Sequence, residues 1–142
     1  MIPSPARSDP CAPARCGPTA RVEACKALVL RYFEMWNTGE GALADELLAP
    51  TYVEHAHPDL LGPGAARSLV PRLHGLYPDV VVSAEVVTAD AEFVVVRTGV
   101  HPGHADGHPS GPRRGMALFR VADGKLAEQW SWYEPVRRRS AP

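Results

Sequence analysis

The feature that most constrains the fold is a change in hydrophobic period near Pro78. Before Pro78, apolar residues recur every three or four positions, which is typical of helices that bury one face. After it, four runs rich in valine and aromatic residues read as strands, at residues 80–88, 93–101, 114–121 and 125–134. Helices followed by an antiparallel meander predict an α+β fold, with the helices packed on one face of the sheet.

A first helix is predicted from about residue 20 to residue 37, with Thr19 as its N-cap. Gly39 should end it through a left-handed cap. Its apolar residues form one continuous stripe, made of Val22, Cys25, Leu28, Val29, Tyr32, Phe33 and Trp36. We therefore expect this helix to turn the stripe towards the core.

Two further helices are predicted before the strands. One lies at about residues 41–49, turns its leucines inward and is stopped by Pro50. The other runs from residue 62 to about residue 76 and contains Pro71, which should kink or restart it. Residues 51–58, between these two helices, are predicted to be extended and then to turn.

The distribution of proline and charge predicts the domain organisation. Five prolines lie in residues 1–18, a composition that cannot build a core. A chain of 142 residues is otherwise long enough for one domain. The prediction is a proline-rich tail at residues 1–18, a single domain at residues 19–135 and a basic tail at residues 136–142.

Charge and composition exclude several classes of partner. The net charge is −1 and the one basic run lies at residues 137–139, so nucleic-acid binding is not expected. No apolar run is long enough to cross a bilayer, and the N-terminus lacks the regions of a secretory signal. The odd set of Cys11, Cys16 and Cys25 favours reduced thiols and a cytoplasmic location.

The last predicted strand has two contrasting faces, because alternate residues of a strand point in opposite directions. The broad, aromatic face carries Leu126, Glu128, Trp130 and Trp132. The small, polar face carries Ala127, Gln129, Ser131 and Tyr133. Two interpretations stay open. The strand lies inside the sheet and shows its polar face to a ligand pocket, or it is an edge strand whose polar face is solvated.

Five stretches of the chain carry a family resemblance. They are YFEMWNTGE (32–40), LLAPTYVEH (47–55), LYPDV (76–80), RTGVH (97–101) and DGKLAEQW (123–130). In this order and spacing they resemble the SnoaL-like polyketide cyclases of the nuclear-transport-factor-two-like superfamily. The resemblance implies a cone-shaped α+β barrel with a curved, mostly antiparallel sheet. It also implies an apolar pocket between sheet and helices, and a homodimer.

The resemblance also implies chemistry, from which this chain departs at two positions. Such cyclases close a ring by an intramolecular aldol reaction without a cofactor, using a last-strand carboxylate in the pattern Glu-His-Trp-Asp. Here Gln129 stands at the position of the histidine and Ser131 at that of the catalytic aspartate. A hydroxyl of ordinary pKa cannot replace a carboxylate as general base unless something activates it. The usual aldol route therefore lacks its acid in this chain.

Three other groups of polar residues are candidates for the chemistry. His55 and His57 are predicted on one side of an extended segment, either as acid/base near neutral pH or as a structural pair. Arg97 either binds an anionic group of a substrate or pairs with Glu85 across the sheet. His101 begins a segment with two more histidines and an aspartate, but the spacing matches no known zinc site and no metal is expected.

Together these observations predict a cofactor-independent enzyme of specialised, polyketide-like metabolism that acts on a mid-sized apolar substrate. The reaction would be a cyclisation, isomerisation, dehydration or hydrolysis; the alternative is a non-catalytic small-molecule-binding or scaffold domain. The expected catalytic residues are His55 as acid/base, Arg97 and Gln129 as polarising donors, and Ser131. The expected substrate contacts are Tyr32, Trp36, His57, His101 and Tyr133. A homodimer is expected through the face with Trp130 and Trp132.

Overall fold

The computed structural model describes residues 17–103 and 112–135. Its helical elements are α1 (Pro18–Thr38), a 3-10 turn (Gly41–Leu43), α2 (Ala44–Leu47) and α3 (Gly62–Leu76). Its strands are β1 (Leu48–Glu54), β2 (Val81–Ala89), β3 (Phe93–His101), β4 (Arg113–Ala122) and β5 (Lys125–Tyr133). The four predicted C-terminal strands are confirmed within one residue at each end. The two predicted tails lie outside the described residues, apart from Gly17 and Pro18.

The sheet has the strand order β1-β5-β4-β3-β2. All neighbouring strands are antiparallel except β1 and β5, which run parallel. The sheet is open, with β1 and β2 at its edges, and the helices pack on one of its faces. This arrangement confirms the predicted α+β fold. Because β5 lies between β1 and β4, the interpretation of the last strand as an edge strand is wrong.

Helix α1 begins and ends at residues suited to those positions. Gly17 is the N-cap and Pro18 takes the first turn, where the missing N–H costs nothing and the fixed φ suits a helix. Thr19 therefore lies inside the helix, and its prediction as N-cap was wrong. At the other end, Gly39 adopts a left-handed φ of 76° and its N–H donates to the carbonyl oxygen of Met35, as predicted.

Pro50 acts differently from its prediction, and one of the two alternatives predicted for Pro71 is excluded. Helix α2 ends at Leu47, and Pro50 lies inside β1 instead of stopping the helix. An edge strand tolerates proline because one side of its backbone has no strand partner. Helix α3 runs continuously through Pro71, so the helix does not restart there.

The core lies between the helices and the inner face of the sheet, which we define as the face towards α1 and α3. Its largest fully buried side chains are Phe119, Met35, Leu47, Leu48, Leu126, Val29, Val70, Val94 and Val96. In the pairing of β4 with β5, Arg120 is opposite Glu128 and Val121 is opposite Leu126. Ala127 has no partner in β4 and is therefore an extra residue in β5. This β-bulge turns Leu126 inward. The prediction that Leu126 shares a face with Glu128 was therefore wrong.

Candidate active site

A cavity of about 740 Å³ opens between the inner face of the sheet and helices α1 and α3. Most of its wall is apolar, and its aromatic members are Tyr32, Phe33, Trp36, Tyr52, Tyr77 and Tyr133. The polar groups on β1 and β5 are Glu54, Gln129 and Ser131. An apolar cavity with a few convergent polar groups is the usual form of a small-molecule site. The polar face of β5 thus faces the cavity, as the sequence predicted.

Glu54, the last residue of β1, supplies a carboxylate to this cavity. Its Oε1 accepts hydrogen bonds from Ser131 Oγ at 3.2 Å and from the backbone N–H of Ala56 at 2.9 Å. Burial raises the pKa of Glu54, and the hydrogen bonds from Ala56 and Ser131 offset part of that rise. The arrangement places a partly desolvated carboxylate against the residue that stands where the resembling family has its aspartate.

The register of β1 and β5 explains this meeting. The two strands are parallel, Glu54 is the partner of Gln129, and the His55 N–H donates to the Gln129 carbonyl oxygen at 2.8 Å. The inner side chain of β1 therefore reaches the next inner side chain of β5, Ser131. Sequence analysis did not select Glu54 as a site residue. Its place in the LLAPTYVEH stretch, at the end of a strand, was the available signal.

Gln129 is held by a second hydrogen bond inside the cavity. The Tyr52 hydroxyl donates to Gln129 Oε1 at 2.6 Å, and Gln129 is only 6% exposed. This contact occupies the amide oxygen and leaves the Nε2 hydrogens as donors towards the cavity. Burial raises the pKa of Tyr32 to about 12 and also raises that of Tyr52. Both hydroxyls therefore stay protonated at neutral pH.

The outer end of the polar wall is formed by Tyr133 and Arg113. Burial raises the pKa of Tyr133, and the positive charge of Arg113 offsets part of that rise. The guanidinium carbon of Arg113 lies 5.5 Å from the centre of the Tyr133 ring. Arg113 Nε donates to the backbone oxygen of Glu134 at 3.3 Å. Arg113 was not among the residues selected from the sequence.

The structure separates the two predicted histidines. His57 lines the cavity, whereas His55 does not. The His55 ring stacks on Trp130 with 4.6 Å between ring centres, and its Nε2 lies 3.1 Å from Glu128 Oε2. The reason is that β1 ends at Glu54 and the chain turns, so strand alternation no longer applies. The role of acid/base assigned to His55 therefore has no support from its position.

Arg97 and His101 also lie away from the cavity. They alternate with the inward residues of β3, so their side chains are on the outer face of the sheet. Arg97 Nε donates to Glu85 Oε2 at 3.0 Å, which is the structural pair that the sequence left open. The histidines at positions 104 and 108 lie outside the described residues. Within the described residues, no three histidine, cysteine or acidic side chains converge as a metal site.

The comparison with protein families agrees with the observed fold. Residues 29–129 match the family described as SnoaL-like domain. Because this match covers more than half of the chain, the protein belongs to that family. Among curated proteins, no sequence matches this chain. In the part of the chain that the structure describes, no helix has the length and apolar content needed to cross a membrane.

Three solved structures illustrate the shared fold. A SnoaL-like polyketide cyclase from Agrobacterium tumefaciens C58 superposes with a TM-score of 0.62 at 15% identity, over 75% of this chain and 88% of that chain. TsrD from Streptomyces laurentii has a TM-score of 0.66 at 20% identity, over 79% and 89%. A hypothetical protein with a ketosteroid isomerase-like fold from Catenulispora acidiphila, in complex with trimethylamine, has a TM-score of 0.60 at 20% identity, over 75% and 84%.

Proposed function

We propose that this protein is a cofactor-independent enzyme that transfers a proton from and to carbon in a mid-sized, apolar, polyketide-like substrate. The observation that carries the proposal is the Glu54 carboxylate, half-buried in an apolar cavity and held by Ser131. Glu54 replaces His55 as the proposed acid/base. The reaction classes that fit are intramolecular aldol cyclisation and isomerisation.

The environment of Glu54 suits it to proton transfer. A general base works best when its pKa approaches the working pH, and burial moves the pKa of Glu54 in that direction. The donors Ser131 Oγ and Ala56 N fix one carboxylate oxygen, Oε1. The other oxygen, Oε2, is then the atom that takes the proton. Ser131 is accordingly a positioning residue in this mechanism.

The reaction begins at a carbon next to a carbonyl group. Its C–H bond breaks, the proton moves to Glu54, and the electron pair forms an enolate. In the proposed mechanism the Gln129 Nε2 hydrogens stabilise the enolate oxygen, and the hydrogen bond from Tyr52 to the Gln129 Oε1 atom supports this role because it orients the amide. In cyclisation the enolate carbon attacks a second carbonyl of the same molecule and the resulting alkoxide takes the proton back from Glu54. In isomerisation the proton returns to a different carbon.

Two similarities support this class of reaction. One neighbour in fold is named as a SnoaL-like polyketide cyclase, and another has a ketosteroid isomerase-like fold. The alternative, a non-catalytic binding domain, follows from the missing aspartate at Ser131. The presence of Glu54 beside Ser131 favours the enzyme.

The test compares two glutamates that lie on opposite faces of the sheet, Glu54 and Glu128. The assay follows by NMR the rate at which deuterium from the solvent replaces the C1 hydrogens of 2-tetralone. We expect Glu54→Gln to lower this rate by about 10²- to 10⁴-fold. Glu128→Gln makes the same chemical change on the outer face and should leave the rate within about twofold. Full exchange activity in Glu54→Gln, or none in the wild type, would favour the binding domain.

We also propose that the protein forms a homodimer through the outer face of the sheet. Trp132 is 59% exposed there, and Met116 and Val95 are 45% and 39% exposed. Trp130 belongs to the same face, because it alternates with Ser131 on β5. Such a continuous apolar surface is uncommon on a monomer and is typical of an interface.

A further inference from the structure

We infer that the substrate carries an anionic group, of carboxylate type, which Arg113 binds at the outer end of the cavity. This inference rests on the proposed function, because it describes the substrate of the same cavity. The substrate class is then an apolar organic acid whose reactive carbon lies near Glu54 and whose carboxylate lies near Tyr133.

The position of Arg113 is fixed by the sheet. Arg113 is the first residue of β4 and pairs with Val100 of β3, and both residues line the cavity. Its Nε is held by the Glu134 backbone oxygen, and its guanidinium lies over the Tyr133 ring. These two contacts orient the guanidinium but use only one of its donors. The remaining N–H groups form a fork that matches the two oxygens of a carboxylate.

Arg113 differs from the arginines that have structural partners. Arg31, Arg67, Arg97 and Arg120 each form an ion pair with a glutamate or aspartate. For Arg113, none of the carboxylates in residues 17–103 and 112–135 lies within ion-pair distance. Arg113 is half-buried on the wall of an apolar cavity, and a substrate that fills the cavity displaces part of the water that competes with an anion for the guanidinium.

The spacing along β5 separates the anion from the reacting carbon. Gln129, Ser131 and Tyr133 follow one another on the inner face, and each step of two residues covers about 7 Å. Tyr133 lies within electrostatic reach of both Glu54 and Arg113, which shift its pKa in opposite directions. The geometry therefore fits a substrate with its anion about 7 to 13 Å from the acidic carbon.

The test uses two probes of the same shape and different charge, anthracene-2-carboxylate and anthracene-2-carboxamide. Their dissociation constants are measured by fluorescence titration at neutral pH. We expect the wild type to bind the carboxylate at least about tenfold more tightly than the carboxamide, and Arg113→Gln to abolish this preference. The matched control is Arg114→Gln, because Arg114 is exposed and pairs with Gly99 on the outer face. It should keep the preference.

Each outcome decides the inference. It is overturned if the wild type shows no preference for the carboxylate, if it binds neither probe, or if Arg113→Gln keeps the preference. Loss of the preference in both arginine variants also counts against it, since a general charge effect then explains the binding. Glu54→Gln separates the two proposals: it should lose hydrogen exchange on 2-tetralone but retain the carboxylate preference. If instead exchange depends on Glu54 while the probes bind equally, the proposed reaction stands and the anion site does not.

Discussion

Two glutamates on neighbouring strands of the same sheet have opposite environments. Glu54 of β1 and Glu128 of β5 are one step apart in the strand register, since Glu128 is the partner of Val53. Glu54 points into the cavity, and burial raises its pKa. Glu128 lies on the outer face, where hydrogen bonds from His55 and Arg120 lower its pKa. The two carboxylates therefore differ in their affinity for a proton although they are the same residue type.

The difference shows how a sheet assigns roles to its side chains. On the outer face, the carboxylate of Glu128 in β5 contacts His55, which directly follows β1, and Arg120 of β4, and so it links these three segments. On the inner face, Glu54 accepts hydrogen bonds from a hydroxyl and a backbone N–H, and no side chain in residues 17–103 and 112–135 forms an ion pair with it. A carboxylate without a fixed cation can gain and lose a proton at moderate cost. The inner glutamate is thus suited to chemistry and the outer one to stability.

After the loss expected for Glu54→Gln, the next largest effect comes from placing a second acid on the inner face. In Ser131→Asp, the new carboxylate would lie about 3 Å from Glu54, so the two groups would share a proton and titrate as a pair. We expect exchange of 2-tetralone at neutral pH to fall by on the order of a hundredfold, with the midpoint of the pH–rate profile moved upwards. The measurement is the exchange rate by NMR between pH 5 and 9.

Ser131→Ala serves as the control for that substitution. It removes one hydrogen bond to Glu54 without adding a charge, so we expect a loss of at most about tenfold. Circular dichroism should show that both variants keep the fold. Equal or faster exchange in Ser131→Asp would mean that the inner face still works as an ordinary aspartate-based cyclase site, contrary to our interpretation.

A smaller effect is expected on the outer face. Trp132→Glu places a charge in the proposed dimer interface, and we expect the dimer dissociation constant to rise by at least about thirtyfold. Analytical ultracentrifugation across micromolar concentrations measures it. Leu30→Glu is the matched control, because Leu30 is 49% exposed on α1, away from the sheet's outer face. A wild-type monomer at micromolar concentration, or equal weakening by both variants, would contradict the interface.

The smallest expected effect is on stability: the melting temperatures of Glu54 and Glu128 variants should depend on pH in opposite ways. The pKa of Glu54 is higher in the folded protein than its unfolded value of 4.5, so the folded state binds the Glu54 proton more tightly. This contribution to stability is fully present below pH 4.5 and is lost as the pH rises through the folded pKa. Glutamine cannot ionise, so Glu54→Gln should raise the melting temperature at pH 7 by up to a few degrees, and by less at pH 4.

Glu128→Gln should show the opposite sign. The lowered pKa of Glu128 gives stability that is present above 4.5 and is lost as pH falls through the folded pKa. This variant should therefore melt below the wild type at pH 7, and the gap should close in acid. Thermal scans from pH 3 to 8 measure both curves, and parallel curves for the two variants would show that the two environments do not differ.

Some of these features follow from the sequence and others do not. The three helices, the four C-terminal strands, the left-handed cap at Gly39 and the polar inner face of β5 depend on local pattern and were predicted, whereas β1 was predicted only as an extended segment. The bulge at Ala127 was not, because strict alternation assumes that no extra residue enters the strand. The position of His55 was missed for a related reason, since its strand ends one residue earlier.

Glu54 illustrates what local pattern cannot provide. Its proton affinity depends on burial beneath α1 and α3 and on contact with Ser131, which is 77 residues away in the chain. The β1–β5 pairing that creates this contact is the only parallel pairing in the sheet, so no hairpin signal marks it. The missing aspartate at Ser131 was visible in the sequence, but the carboxylate that lies beside it was not.

The parallel pairing of β1 with β5 also affects how the protein acquires its site during synthesis. Within the part of the chain that the structure describes, β5 is the only strand paired with β1 and is the last strand in sequence order. Contacts across so long a loop form late, because the loop entropy is lost before the contacts are gained. Until β5 leaves the ribosome, β1 and β4 each expose an unpaired edge that can join another chain. A nascent or truncated chain without β5 is therefore expected to be inactive and prone to aggregation at the same time.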